Sequence, residues 1–282
     1  MRQGPLGRRQ PSCLWLALWY VAMVAPAFSA EKDQPFPGGA TAYLVESEGR
    51  TLWSRQADRA LPPASLTKIM TALVFLESGA PLDGVVTVST NAARATGTRL
   101  RLRRGEQMRA GDMLAATLLE SANDACLALA EHVGGSKERF AESMNVRARE
   151  LGLTRTHFTN PCGHDEPTHL SSARDLAELT KVAMRQPEIA RLVRTVDWRA
   201  TTLAGRSFNL ENKNELIGRY QGSIGVKSGF TPGAGKCLIA LAERDGVTVL
   251  LVALNAKNRW WDATALLDRA FARMRFATRP AG

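Results

Sequence analysis

In the stretch LPPASLTKIMTALVFLESG, Leu61–Gly79, apolar residues at positions 66, 69, 70, 73, 74 and 76 recur at helical spacing. The pattern predicts a buried helix that begins just after two prolines. Lys68 stands among the apolar positions, one turn after Ser65. An amine in such a surround costs free energy unless it is paired or neutralised, so its presence asks for a reason.

Outward from this helix, the chain changes pattern twice. Upstream, TAYLVESEGRTLWSRQ (Thr41–Gln56) reads as two short strands around a turn at Gly49. Downstream, helical patterns dominate to about Arg194. GDMLAATLLESANDACLALAEHVGG (Gly111–Gly135) is two apolar helical runs interrupted near Ser121. Ser136 is a good N-cap, Ser172 and Asp175 have capping-box-like spacing, and Pro187 suits a first turn. From about Val196 the runs become strand-like, with a turn at Asp245-Gly246, and the last pattern, WWDATALLDRAFARMRF, is an amphipathic helix. Strands, many helices, strands and a helix predict one α+β domain. Its two ends share a sheet flanked by helices, and its middle forms a helical subdomain.

The first 30 residues are a separate object. Arg2, Arg8 and Arg9 precede an apolar run, Cys13–Phe28, that ends in small residues. This is the pattern of a secretory signal peptide, with cleavage after Ala27, Ser29 or Ala30. The run is short for a membrane span of about 20 residues. The expected organisation is a leader over residues 1–30 and a single domain over 31–282. The mature chain is then exported, with a weak membrane-surface contact as an option.

The net charge is +10, and setting aside the three leader arginines leaves +7. A basic exported protein suits an anionic surface such as a bacterial envelope. Nucleic acid is disfavoured as a partner, because the densest basic run, Arg99–Arg109, contains no interleaved aromatics and reads as a solvated loop or ribbon. Cys126, Cys162 and Cys237 remain beyond the leader, so at least one has no partner within the chain. They read as small buried residues.

The chain lacks H-E-x-x-H, a P-loop, G-x-G-x-x-G and a G-x-S-x-G elbow, and none of its four histidines is spaced as a metal pair. No cofactor is implied. A serine enzyme here needs another base, and S-x-x-K supplies one: positions i and i+3 share a helix face, which sets the Ser65 hydroxyl beside the Lys68 amine. Burial lowers the amine's pKa, so a neutral fraction can take the serine proton. The spacing alone is weak. A chain this long holds on the order of one match by chance, and SAEK (Ser29–Lys32) is such a decoy. Weight comes from order and setting: S-x-x-K at a helix start, S-x-N (Ser121, Asn123) between helices, and KSG (Lys227, Ser228, Gly229) on a strand. S-x-N also occurs at Ser89, Ser143 and Ser207, in polar or turn-rich stretches.

With these motifs the chain resembles the D-alanyl-D-alanine carboxypeptidases, low-molecular-mass penicillin-binding proteins of the serine β-lactamase-like superfamily. PASLTKIMTA, LLESANDACLALAEHVGG, NPCGHDEPTHLSSARDLAEL, GVKSGFTPGAGKCLIALAERDG and LLDRAF carry the likeness, from about Thr41 to Phe276. The resemblance implies an antiparallel sheet flanked by helices with a helical subdomain, which agrees with the element order. It also implies roles. Ser65 attacks the D-Ala-D-Ala carbonyl and forms an acyl-enzyme, Lys68 is the base, and Ser121 relays the proton to the leaving amine. Asn123 binds the substrate amide, while Lys227 and Ser228 bind the terminal carboxylate. The Ser65 and Phe230 N–H groups form the oxyanion hole, and Arg259 helps hold the carboxylate. Serine at 228 replaces the family's usual threonine and keeps the hydroxyl. Peptidoglycan stem peptides are the implied substrates and β-lactams the covalent inhibitors.

Competing readings are a D,D-endopeptidase, a β-lactamase or esterase of the same superfamily, and a catalytically silent wall-binding protein. Glu166-Pro167 resembles the omega loop of class A β-lactamases, but Ser171 stands where that loop has asparagine. Glu166 and His169 therefore read as surface loop residues, and His157 as a structural hydrogen-bonder. Relatives carry a further β-rich domain and a C-terminal membrane helix; the chain is expected to lack both.

Overall fold

The computed structural model describes residues 1, 4 and 39–277. The expected leader, with its cysteine and the decoy S-x-x-K, lies outside them. Two strands open the described chain, β1 (Ala40–Ser47) and β2 (Arg50–Arg55), with Glu48 and Gly49 at positive φ in the turn. Three more strands close it: β7 (Ser223–Thr231), β8 (Gly235–Arg244) and β9 (Val247–Ala256). Asp245 and Gly246, both at positive φ, make the tight β8–β9 turn. Here β5 and β6 denote the hairpin of Asp197–Thr201 and Ser207–Glu211, and β3 and β4 the ribbon of Val85–Thr87 and Gln107–Arg109.

The five-stranded sheet has the order β2-β1-β9-β8-β7, and every neighbouring pair is antiparallel. The ends of the chain therefore do share a sheet. Strand alternation sorts side chains onto two faces. Leu44, Ile239, Val252 and Leu254 enter one core with Leu66, Ile69, Met70 and Leu73. Tyr43, Val45, Leu238, Ala240 and Leu251 enter a second core against the C-terminal helix α8 (Arg259–Ala277), through Leu266, Leu267, Ala270 and Phe271. Each fully buried leucine or isoleucine contributes about 1.5–3 kcal/mol.

Between the halves of the sheet runs the helical part: α1 (Lys68–Glu77), α2 (Thr90–Ala93), α3 (Ala110–Ala115), α4 (Asn123–Gly134), α5 (Lys137–Glu150), α6 (Ala173–Ala183) and α7 (Pro187–Val193). Ser136 Oγ accepts from Arg139 N and Ser172 Oγ from Asp175 N, as their positions predict. The reciprocal half of a capping box is missing, because the Asp175 carboxylate accepts from Arg155 N and Thr156 Oγ instead. The basic stretch 99–109 keeps its arginines exposed and buries Leu102 and Met108. Asp124, at the start of α4, anchors it by accepting from the N–H groups of Leu100 and Leu102. No helix among the described residues is long and apolar enough to cross a membrane.

Candidate active site

Pro62 and Pro63 lead into a 3-10 turn, Ala64–Thr67, and α1 starts only at Lys68. Residues three apart eclipse in a 3-10 turn more closely than in an α-helix, which brings Ser65 and Lys68 together. Ala64 is held at φ 48°, a left-handed conformation unusual for alanine. Its carbonyl accepts from Thr67 Oγ, 2.8 Å away, and Thr67 Oγ is itself 2.8 Å from His169 Nε2. Two glycines press on the same turn. A Cβ on Gly163 would sit 1.9 Å from the Ala64 carbonyl oxygen, and one on Gly229 would sit 2.9 Å from the Ser65 nitrogen.

Lys68 is fully buried. Its Nζ lies 3.0 Å from Ser65 Oγ, 2.7 Å from Asn123 Oδ1 and 2.7 Å from the Cys162 carbonyl. Burial, reinforced by the neighbouring Lys227 charge, holds the amine's pKa well below the usual lysine value. A neutral amine has two N–H groups and one lone pair. In that form the N–H groups can donate to Asn123 Oδ1 and the Cys162 carbonyl, which leaves the lone pair for the serine hydroxyl. That is the arrangement of a base beside its nucleophile.

The S-x-N segment follows a π-helical turn, Ala116–Glu120. Ser121 adopts φ 63° and breaks the helix, so that α4 restarts at Asn123. Asn123 is fully engaged. Its N–H donates to Thr98 O, its Nδ2 to Thr96 O at 2.6 Å, and its Oδ1 accepts from Lys68. A disulfide, Cys126–Cys162, ties α4 to the loop that offers the Cys162 carbonyl to Lys68.

Strand β7 is an edge of the sheet, opposite β2, and at Gly229 passes directly beside the turn that carries Ser65. Lys227 is buried, and its pKa falls to about 7 because of burial and the Arg259 charge, with Glu120 pulling the other way. Its Nζ donates to the Ser228 carbonyl, and Ser228 Oγ donates to the Lys213 carbonyl. Arg259, at the start of α8, donates from Nη1 to the Gly229 carbonyl at 2.6 Å and lies over the Trp260 ring. The Phe230 side chain projects into solvent, 61% exposed, as a rim beside this strand.

A half-buried Ser65 bonded to a buried Lys68, an asparagine shared with that lysine and a buried lysine on an edge strand make up the site, and among the described residues no cluster could hold a metal ion. The family model of D-alanyl-D-alanine carboxypeptidase matches residues 32–258. The chain belongs to this family. It is 36% identical over 240 residues to the D-alanyl-D-alanine carboxypeptidase DacF of Bacillus subtilis, covering 82% of this chain and 62% of that protein. It is 34% identical over 243 residues to a D-alanyl-D-alanine endopeptidase of Pseudomonas aeruginosa, covering 83% and 77%. The crystal structure of the Streptomyces K15 DD-transpeptidase superposes with a TM-score of 0.79 at 31% identity, over 84% of this chain and 98% of that one. The alignment thus spans less than two thirds of DacF.

Within the family fold, the motifs read from the sequence converge: Ser65, Lys68, Asn123 and Lys227 meet through direct bonds or charge coupling. One reading is corrected. His169 is a buried residue, not one of the loop surface: Thr159 N donates to its Nδ1, and burial pushes its pKa down to about 4. The cysteines are buried as expected; Cys126 and Cys162 are bonded to each other, and Cys237 is the free thiol among the described residues. Glu166 is exposed and accepts from Asn160 Nδ2, as suits a loop residue. His157, also exposed, lies 3.0 Å from the Thr168 carbonyl through Nδ1, a structural bond. The Cys162 carbonyl, the Thr67–His169 brace and His164 were not singled out in the sequence, because backbone acceptors and loop contacts leave no spacing signal.

Proposed function

We propose that this protein is a serine-type D-Ala-D-Ala carboxypeptidase that trims peptidoglycan stem peptides and is inhibited covalently by penicillin. The observation that carries the reading is the buried Lys68 amine, 3.0 Å from Ser65 Oγ and held by Asn123 Oδ1 and the Cys162 carbonyl. Lys68 takes the hydroxyl proton as Ser65 attacks the carbonyl of the terminal peptide bond. The Ser65–carbonyl bond forms, and the Ser65 and Phe230 N–H groups receive the oxyanion. Gly229 supports this, since its lack of a side chain lets β7 approach the Ser65 nitrogen. Ser121 passes the proton to the leaving D-alanine amine, the peptide bond breaks, and water then hydrolyses the acyl-enzyme. Lys227, Ser228 and Arg259 take the substrate carboxylate, a charge-assisted pairing. The second lone pair of Asn123 Oδ1, beside the one Lys68 uses, accepts the substrate amide N–H.

The experiment is incubation of the purified protein with fluorescent penicillin and with a pentapeptide. The expected result is a lasting adduct on Ser65, absent in Ser65→Ala, and release of D-alanine. An unlabelled wild type supports the silent wall-binding reading, and rapid penicillin turnover supports a β-lactamase. The Pseudomonas relative keeps endopeptidase activity as a second reading, which cleavage of a crosslinked dimer tests. Residues 1–30 would be removed on export to the cell envelope and 31–282 would form the peptidase domain. A mass spectrum of the mature protein gives its N-terminus and tests that division.

A further inference from the structure

His164 follows Gly163 in the loop that carries the Cys162 carbonyl, and nothing in the proposed mechanism uses it. Its backbone is fixed at both ends: its N–H donates to Asn160 Oδ1 at 3.0 Å, and its carbonyl accepts from Asn160 Nδ2 at 3.1 Å. Its ring points into the site, where Nε2 lies 3.3 Å from Asn123 Nδ2. Asn123 cannot turn its amide over. Oδ1 is needed by the Lys68 amine and Nδ2 by the Thr96 carbonyl. The second hydrogen of Nδ2 is therefore the one that meets His164, and the imidazole nitrogen must accept it.

We propose that His164 is a positioning residue for the acylation step: neutral, it holds the Asn123 carboxamide against Lys68, and protonated, it releases it. With a proton on Nε2, two donors would face each other across 3.3 Å. Its N–H, already within reach of the Thr96 carbonyl, would then compete with Asn123 for that acceptor. The groups facing the ring fit this switch. Burial and the Lys68 charge oppose the cation, as does Lys137 at the start of α5, while the Thr96 carbonyl and Glu166 favour it. The neighbouring Asp165 is engaged elsewhere, by Thr231 Oγ and Gly233 N. His164 thus couples the placement of Asn123, and through it the orientation of the base, to acid.

This inference rests on Ser65 being the acylated residue. The test is the second-order rate of Ser65 labelling by penicillin from about pH 4 to about pH 9, across the histidine range, in wild type, His164→Gln and His164→Leu. His164→Leu should label about tenfold more slowly at neutral pH, the loss of one hydrogen bond in the transition state. His164→Gln keeps an acceptor without a titrating group, and should restore the rate to within about threefold. Both variants should show a shallower acid limb than wild type, because one of two protonations is gone. A merely structural histidine would leave that steepness alone. Identical acid limbs in all three proteins, or a leucine variant that labels at the wild-type rate, would overturn the proposal. A wild type that never labels would instead overturn the site itself, and this inference with it.

Discussion

Removing the Cys126–Cys162 crosslink should destabilise the protein substantially. The two cysteines are 36 residues apart and both buried, and they join α4 to the loop packed over Lys68. Closing a loop of this length in the unfolded chain removes entropy worth about 4 kcal/mol near room temperature. A domain of this size shifts its melting point by about 2–4 °C per kcal/mol, so the reduced protein should melt about 8–16 °C lower. The assay compares oxidised protein with protein unfolded and refolded in dithiothreitol, each followed by thermal melting, with thiols counted by mass. The reduced form should also label more slowly with penicillin, because Asn123 and the Cys162 carbonyl, two partners of Lys68, sit on the two segments it joins. A fully reduced protein that melts within about 2 °C of the oxidised one would refute the loop-entropy reasoning.

Three further outcomes follow from the site. Lys68→Ala should slow penicillin acylation by about 10²–10⁴-fold, the usual worth of a general base, and normal labelling would remove Lys68 from that role. Gly229→Ala should cost most of the acylation rate and lower the melting point by about 2–12 °C, since its Cβ would meet the Ser65 backbone nitrogen at 2.9 Å and such overpacking costs about 1–3 kcal/mol; a fully active variant would show that the turn can retreat. Lys227, depressed to about 7, is mostly neutral at about pH 8, so binding a ligand carboxylate should draw a proton onto it. Calorimetry of a D-Ala-D-Ala peptide with Ser65→Ala protein, in two buffers of different ionisation enthalpy, should show proton uptake. Equal heats would refute it. The same shift makes the folded protein bind fewer protons than the unfolded chain between about pH 7 and 10, so stability from this group rises with pH across that window.

The sheet was legible because its signals are local. Strand alternation at Tyr43, Leu44 and Val45 and the turn at Asp245-Gly246 leave direct traces in residue order. The same holds for Ser65 and Lys68, which are neighbours along the chain. What stayed hidden depends on folding from afar. Nothing near Ala64 announces a left-handed alanine, because Gly163 and Gly229, nearly 100 and more than 160 residues away, are what make room for it. The buried state of His169 depends on the Thr67 hydroxyl, 102 positions away. The S-x-x-K expectation was right in its consequence but not in its helix type, since the eclipsed 3-10 turn, rather than an α-helix, brings the pair together.

The pairing of β1 with β9, in which Ala42 faces Leu254, has a consequence for the order of assembly. The innermost strand, β9, is the last of the described strands to be synthesised. Until it arrives, β1-β2 and β7-β8 are two separate hairpins, each too small to be stable by itself. A chain dominated by such distant pairings folds slowly. The turn that carries Ser65 gains its β7 wall only after more than 150 further residues have been made. The site would therefore be inert until β7, β8 and β9 have all been synthesised and paired.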